Sequence, residues 1–87
     1  MPEDLQLLVE HLAKQLVDHP DEVSVRQSTG GRGGEGSEQG DLYELSVNPD
    51  DLGHVIGRQG RTARAIRSVV RAAAAKQGHR AQVEIVE

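Results

Sequence analysis

Apolar side chains recur at two different periods along this chain, and the switches between them mark out its elements. Leu5, Leu8, Val9, Leu12 and Leu16 fall three or four positions apart, which places them on one stripe of an α-helix. Glu3 and Asp4 at its start and Lys14 further along suit the helix dipole. His19-Pro20 ends this helix in the sequence reading, since the residue before a proline is pushed out of the α region. From Val23 to Gln27 the period changes to two, with Val23 and Val25 apolar and Ser24 and Arg26 polar, as in a strand with one buried face. Leu42, Tyr43, Leu45 and Val47 predict a second strand, and Ala81, Val83 and Ile85, alternating with Gln82 and Glu84, a third.

Two helices are expected between the second and third strands. Asn48-Pro49-Asp50-Asp51 is a strong start: an Asn cap, Pro at the first helical position, and two carboxylates at the positive end of the dipole. That helix is short, Pro49 to Ile56, and Gly57 closes it. The next runs from Arg61 to Gln77, where Gly78 supplies the stop. On a wheel of about 100° per residue, Ala63, Ile66, Val69, Val70 and Ala73 cluster on one side. Arg64, Arg67 and Arg71 cluster on another. The order helix, strand, strand, helix, helix, strand makes this an α+β chain.

Ser28 to Asp41 has neither period. It holds no apolar residue and six glycines, so nothing in it offsets the entropy of ordering the backbone, and a flexible glycine-rich loop at 28–41 is expected. Gly31 to Gly36 matches G-x-G-x-x-G, but a strand follows rather than the opening of a helix, so a dinucleotide site is set aside. Arg32 among glycines, beside Glu35 and Glu38, is thin support for an RNA-contacting tail.

Composition narrows the possibilities. Eighty-seven residues make one domain, 1–87, with a thin core. There is no Phe or Trp, and Tyr43 is the one aromatic, which disfavours single-strand binders that stack bases on aromatic platforms. The absence of Cys excludes disulfides and thiolate metal sites. No leader-like start and no apolar run long enough for a bilayer can be read, so a soluble, cytoplasmic protein without membrane partners is expected. The histidines (His11, His19, His54 and His79) have no metal-ligand spacing, and there is no nucleophile elbow or Walker turn. Neither an enzyme, a metal site nor a cofactor is read here.

The net charge of −4 averages two unlike halves. Residues 1–50 carry 11 acidic and 3 basic side chains, residues 51–87 carry 3 and 7, and between Leu52 and Val83 there is no acid at all. At physiological salt the Debye length is about 8 Å, so a polyanion beside the second half feels mainly that half. Within it lies Gly57-Arg58-Gln59-Gly60, a turn whose glycines permit positive φ and let bare N–H groups approach a phosphate. A basic helical stripe alone is usually a solvated face. A stripe that continues from such a turn favours an anion.

Gly-x-x-Gly preceded by Val55-Ile56 on a short capped helix, followed by an amphipathic helix and flanked by strands, resembles the KH domain of type II topology. The run from Asn48 through Arg67 is similar to the KhpA family of small stand-alone bacterial KH proteins, whose loop corresponding to 28–41 is usually short. The resemblance covers essentially the whole chain apart from that loop, which falls where type II domains carry the variable loop bordering the binding groove. It implies a three-stranded sheet with helices packed on one face, and a groove for about four nucleotides of single-stranded RNA. On this chain it implies that Gly57, Arg58, Gln59 and Gly60 hold phosphates through backbone amides, helped by the N-terminal dipole of the following helix. Arg61 and Arg64 add charge, and Gly53, Val55 and Ile56 line the groove wall, with Ile56 open to a core role as well. His54, one turn ahead of Gly57, is placed to touch RNA. An aliphatic wall fits the missing aromatics.

The resemblance further implies an RNA chaperone or post-transcriptional regulator, acting as a homodimer or paired with a larger KH-containing RNA-binding protein. The Leu-rich first helix and Ala72 to Ala75 are candidate contact surfaces, though core packing explains them equally well. Two rival readings of the same residues stand beside it: a single-stranded DNA binder, and a protein-interaction module whose basic helix docks an acidic partner.

Overall fold

The structure, a computed structural model, describes residues 4–28 and 40–87. Its first helix, α1 (Leu5–Lys14), starts where the Asp4 carboxylate accepts the N–H groups of Gln6 and Leu7 at 2.9 and 3.3 Å, satisfying donors that have no partner inside the helix. It buries Leu5, Val9 and Ala13, with Leu8 and Leu12 packed against the same cluster. It stops five residues before His19, well ahead of Pro20. The Leu16 N–H turns back to the Ala13 carbonyl at 2.9 Å, and the next residues are drawn to a carboxylate elsewhere: Asp18 and His19 both donate backbone N–H groups to Asp51. Leu16, expected on the apolar stripe, is left 39% exposed.

The sheet has the order β1 (Ser24–Ser28), β2 (Asp41–Ser46), β3 (Ala81–Ile85). β1 and β2 are antiparallel, Val25 facing Leu45, while β2 and β3 are parallel, Tyr43 facing Val83. A parallel pair needs a long crossover, and the helical segment between β2 and β3 is that crossover. Tyr43, Leu45, Ala81 and Val83 are buried towards the helices, and Arg26, Gln82 and Glu84 are exposed. α1 packs on β1 and β2, and α3 (Arg61–Lys76) packs on β3 and on α1. One cluster built on Val9, Tyr43, Leu45, Val70 and Ala74 joins them. The fold is α+β with a three-stranded mixed sheet and three helices, as the sequence implied.

The expected loop at 28–41 is narrower at its ends. Ser28 pairs with Leu42 and Asp41 with Ala81. Gly40 is held at φ 72°, so close to the chain that a Cβ there would run into the Arg80 backbone. The remaining positions, 29–39, with the G-x-G-x-x-G match and Arg32, lie outside the described residues.

The helix expected from Pro49 to Ile56 divides into a 3₁₀ turn, Pro49–Asp51, and a five-residue helix, α2 (Leu52–Ile56). Asn48 caps the turn, its Oδ1 accepting the Asp50 N–H at 2.7 Å. α3 buries Ala63, Ile66, Val70, Ala73 and Ala74. Val69, assigned from the wheel to the packing face, is 46% exposed. It stands about 100° from Val70, on the side away from Ala74, and the buried arc takes in Ala74 instead. In the alanine run, Ala73 and Ala74 are core, and only Ala72 and Ala75 face outwards. The helix ends as expected at Gly78, φ 75°.

Candidate nucleic-acid interface

Gly57 closes α2 and opens the turn into α3. Its φ of 76° and ψ of 173° lie in a region reserved for glycine, and a Cβ there would collide with the Thr62 side chain. Gln59 and Gly60 follow in the left-handed region, Gln59 being the one non-glycine residue with positive φ among those described. This sequence of conformations turns the chain sharply and decides which amides remain available. The Gly57 N–H donates to the Gly53 carbonyl at 2.9 Å, and the Gly60 N–H to the Gly57 carbonyl at 3.1 Å. The Arg58 and Gln59 N–H groups have no partner among the described residues. The sequence reading assigned all four amides to phosphate. The outer two are consumed in making the bend, and the inner two are free.

α3 begins directly beyond, with Gly60 at its N-cap and no side chain capping its first turn. An uncapped helix N-terminus carries a partial positive charge on its free N–H groups. Around it stand Arg58 and Arg61, both exposed. Arg64 does more than add charge, because its guanidinium donates to the Gln59 carbonyl at 3.3 Å and braces the bend from below. Arg67, one turn on, points its Nε to the Val83 carbonyl at 3.2 Å, tying α3 to the edge strand β3.

The groove-wall residues fall differently from the expectation. Val55 is fully enclosed and belongs to the core, so it presents no surface, whereas Ile56 is half-buried beside the turn and Gly53 is exposed. A helix of five residues turns only one side chain in three or four fully inward, and at this site that residue is Val55.

His54 faces Asp18, with its Nε2 3.5 Å from the carboxylate. It belongs to a bracket that the sequence reading missed. Asp51, read as a dipole partner for its own helix, is 1% exposed and accepts three hydrogen bonds. Two come from the Asp18 and His19 N–H groups at 3.2 and 3.1 Å, and one joins it to the His19 ring Nδ1 at 3.0 Å. Burial pushes the Asp51 carboxyl up, but the bonds from the His19 ring and the two amides outweigh it and hold its pKa below the ordinary value. The bond to Asp51 raises the His19 pKa against a smaller desolvation effect. Asp18, Asp51 and His54 bring three ligand-type atoms within 4.8 Å. Their spacing is explained by these internal bonds, which fasten the segment after α1 to the N-terminal end of α2.

Thr62, under Gly57, was also missed, since its role exists only once the bend is formed. The acid-free span between Leu52 and Val83 was the sequence signal for the cations, and in the structure Arg64 and Arg67 project from one flank of α3.

A Gly-x-x-Gly turn between two helices, on a mixed sheet of order β1-β2-β3 with α-β-β-α-α-β connectivity, defines the type II KH fold. The chain matches the family model described as KhpA/KhpB, KH domain, over residues 6–85, and it belongs to that family. Among curated relatives, the RNA-binding protein KhpA of Halalkalibacterium halodurans is 51% identical over 95% of this chain and 100% of its own length. The protein of the same name from Clostridium acetobutylicum is 50% identical over 94% and 100%. That from Streptomyces coelicolor is 48% identical over 76% and 75%. Among solved structures, Era from Aquifex aeolicus superimposes with a TM-score of 0.63 at 17% identity, over 98% of this chain and 31% of that one, a likeness of fold.

Proposed function

We propose that this protein binds single-stranded RNA by its backbone, at the turn Gly57 to Gly60 and the N-terminus of α3. The single observation that carries this is the pair of unpartnered amides at Arg58 and Gln59, set in front of an uncapped helix start. They are flanked by Arg58, Arg61 and Arg64. Donors left without partners in an exposed, acid-free bend suit an anion that arrives from outside. The relatives named RNA-binding protein KhpA support the phosphate of RNA as that anion. Ile56 and Gly53 supply an aliphatic and an open wall beside the turn, so bases lie against the protein without stacking on rings. With two or three phosphates neutralised, affinity is modest and weakly salt-dependent, with a log–log slope of about −2.

Such a grip suits an RNA chaperone or post-transcriptional regulator rather than a sequence reader. Pairing with a second KH unit, in another copy or in a larger KH-containing protein, would raise affinity through effective concentration alone.

The test is the double variant Arg58→Asp, Gln59→Asp. Both side chains are exposed, so the fold should survive, as circular dichroism will show, while two carboxylates stand against the phosphates. Binding of short single-stranded RNA, followed by fluorescence anisotropy, should weaken at least tenfold. Undiminished binding by the folded variant would refute this mechanism. Matched DNA oligomers in competition report whether the ribose matters.

A further inference from the structure

Thr62 carries a hydroxyl that the fold does not use. It is the second residue of α3, after the N-cap Gly60 and Arg61, and side chains on a helix lean towards its N-terminus, here towards the turn. The space that a side chain would need at Gly57 is filled by Thr62, since a Cβ built there would meet its Oγ1 and its Cβ. The hydroxyl therefore lies against Gly57, beside the peptide that carries the Arg58 N–H.

A helical threonine ordinarily donates its hydroxyl back to the carbonyl three or four residues earlier. For Thr62 those carbonyls belong to Gln59 and Arg58, and each already has a donor. The Arg64 guanidinium donates to the Gln59 carbonyl at 3.3 Å, and the Arg61 N–H donates to the Arg58 carbonyl. The Thr62 hydroxyl bonds to neither, and it has no hydrogen-bond partner among the described residues. Every buried side-chain oxygen among those residues does have one. Thr62 is only half-buried, so its oxygen reaches solvent. Packing under Gly57 asks for a branched side chain of this size, which valine would supply. The hydroxyl is left for something outside the fold.

Phosphate oxygens of nucleic acids accept hydrogen bonds from Ser and Thr hydroxyls as well as from backbone N–H groups and helix starts. All three kinds of donor stand together at this turn. We propose that Thr62 is a further RNA-binding residue, its hydroxyl donating to an oxygen of the phosphate that the Arg58 and Gln59 amides hold. This rests on the function proposed above and deepens it. The guanidinium groups at the turn are on long side chains and attract a phosphate from many directions. The two amides and the short Thr62 side chain are fixed to one bend, and they set how the phosphate sits.

The test compares Thr62→Val, which keeps the branched shape and loses the hydroxyl, with Thr62→Ser, which keeps the hydroxyl. Circular dichroism and urea denaturation verify the fold, and fluorescence anisotropy follows short single-stranded RNA and DNA of matched sequence. Thr62→Val should bind RNA about tenfold more weakly, the low end of what a hydrogen bond to a charged group contributes. Its salt slope should equal that of the wild type, because a neutral donor displaces no counterion. Thr62→Ser should stay within threefold of the wild type. Whatever affinity the wild type has for DNA should fall by the same factor in Thr62→Val, since the phosphate is common to both.

A folded Thr62→Val that binds RNA within twofold of the wild type overturns the proposal. So does a loss confined to RNA in a wild type that binds both, which would set the hydroxyl against the ribose. If valine disturbs the fold, Thr62→Ala replaces it: weak binding by alanine beside tight binding by serine supports the proposal, and equal binding overturns it. If Arg58→Asp, Gln59→Asp abolishes binding and Thr62→Val does not weaken it, the turn's function stands without the hydroxyl. If the wild type binds no RNA, the turn's function fails and the role of Thr62 falls with it.

Discussion

The two ends of α3 are both made by glycines at positive φ, yet they treat their backbone amides in opposite ways. At the C-terminus, Gly78 (φ 75°) donates its N–H to the Ala75 carbonyl at 3.0 Å, and His79 donates to Ala74 at 2.8 Å. Those bonds form a Schellman closure, in which the turn's donors satisfy carbonyls the helix leaves open. At the N-terminus, the Arg58 and Gln59 amides are left over. The same residue type at nearly the same φ thus stops a helix in one place and leaves two amides without partners among the described residues in the other. What separates them is where the hydrogen bonds go and which charges stand by. Glycine in a sequence announces a bend, and only the donors left after the bend is made announce a ligand.

The comparison breaks most visibly at Gly57. Gly57→Ala places a Cβ against Thr62 in a conformation open only to glycine. It should cost about 3 kcal/mol, combining backbone strain and overpacking, from a domain that holds about 5–10 kcal/mol in all. Urea denaturation measures it, and RNA binding should fall with the lost geometry. Gly78→Ala meets no neighbouring atom and adds only left-handed strain, about 1 kcal/mol. Its RNA affinity should match the wild type, and a large loss there would mean the C-terminal turn is more than a stop. Gln59→Gly removes left-handed strain at the turn's centre, partly offset by a more flexible unfolded chain. A net gain of about 0.5 kcal/mol is expected, with the central amide, and hence binding, retained.

The bracket at the N-terminal end of α2 gives the smallest effect, legible as pH dependence. The His19 pKa is raised above its ordinary 6.5, so its contribution is complete below that pH and is lost as pH rises through the folded value. The Asp51 pKa is lowered below its ordinary 3.8, so its contribution is complete above that pH and is lost as pH falls through the folded value. The pair therefore stabilises most between about 3.8 and 6.5. His19→Asn should cost most stability in that window and less at pH 8. A cost that does not change between pH 5 and 8 would show that the backbone bonds to Asp51, not the ring, do the holding.

Much of this molecule was legible before any coordinates. The period of the apolar residues marked α1, α3 and the three strands, to within a residue or two for the strands and α3. Asn48 and Gly78 marked where α2's entry and α3's exit lie, and the acid-free span marked the charged flank. These signals are local: a cap, a breaker or a periodicity acts over a few residues, through backbone dihedrals and the nearest donors. The end of α1 was misread for the same reason. Pro20 is a valid local stop, but it is overtaken by a contact with Asp51, more than thirty positions away.

What the sequence by itself determined, then, is the order of elements, the sharp bend at Gly57 to Gly60, and the sign of the charge around it. The tertiary structure alone decided that Val55 rather than Ile56 is enclosed and that Val69 faces outwards. It also decided that Asp51 is a buried anchor, and that two of the turn's four amides have no partner among the described residues. Each of these depends on which distant surface meets which face of a short helix, or on which donor finds a carbonyl first. Such outcomes follow from packing in three dimensions, and a pattern along one dimension does not contain them.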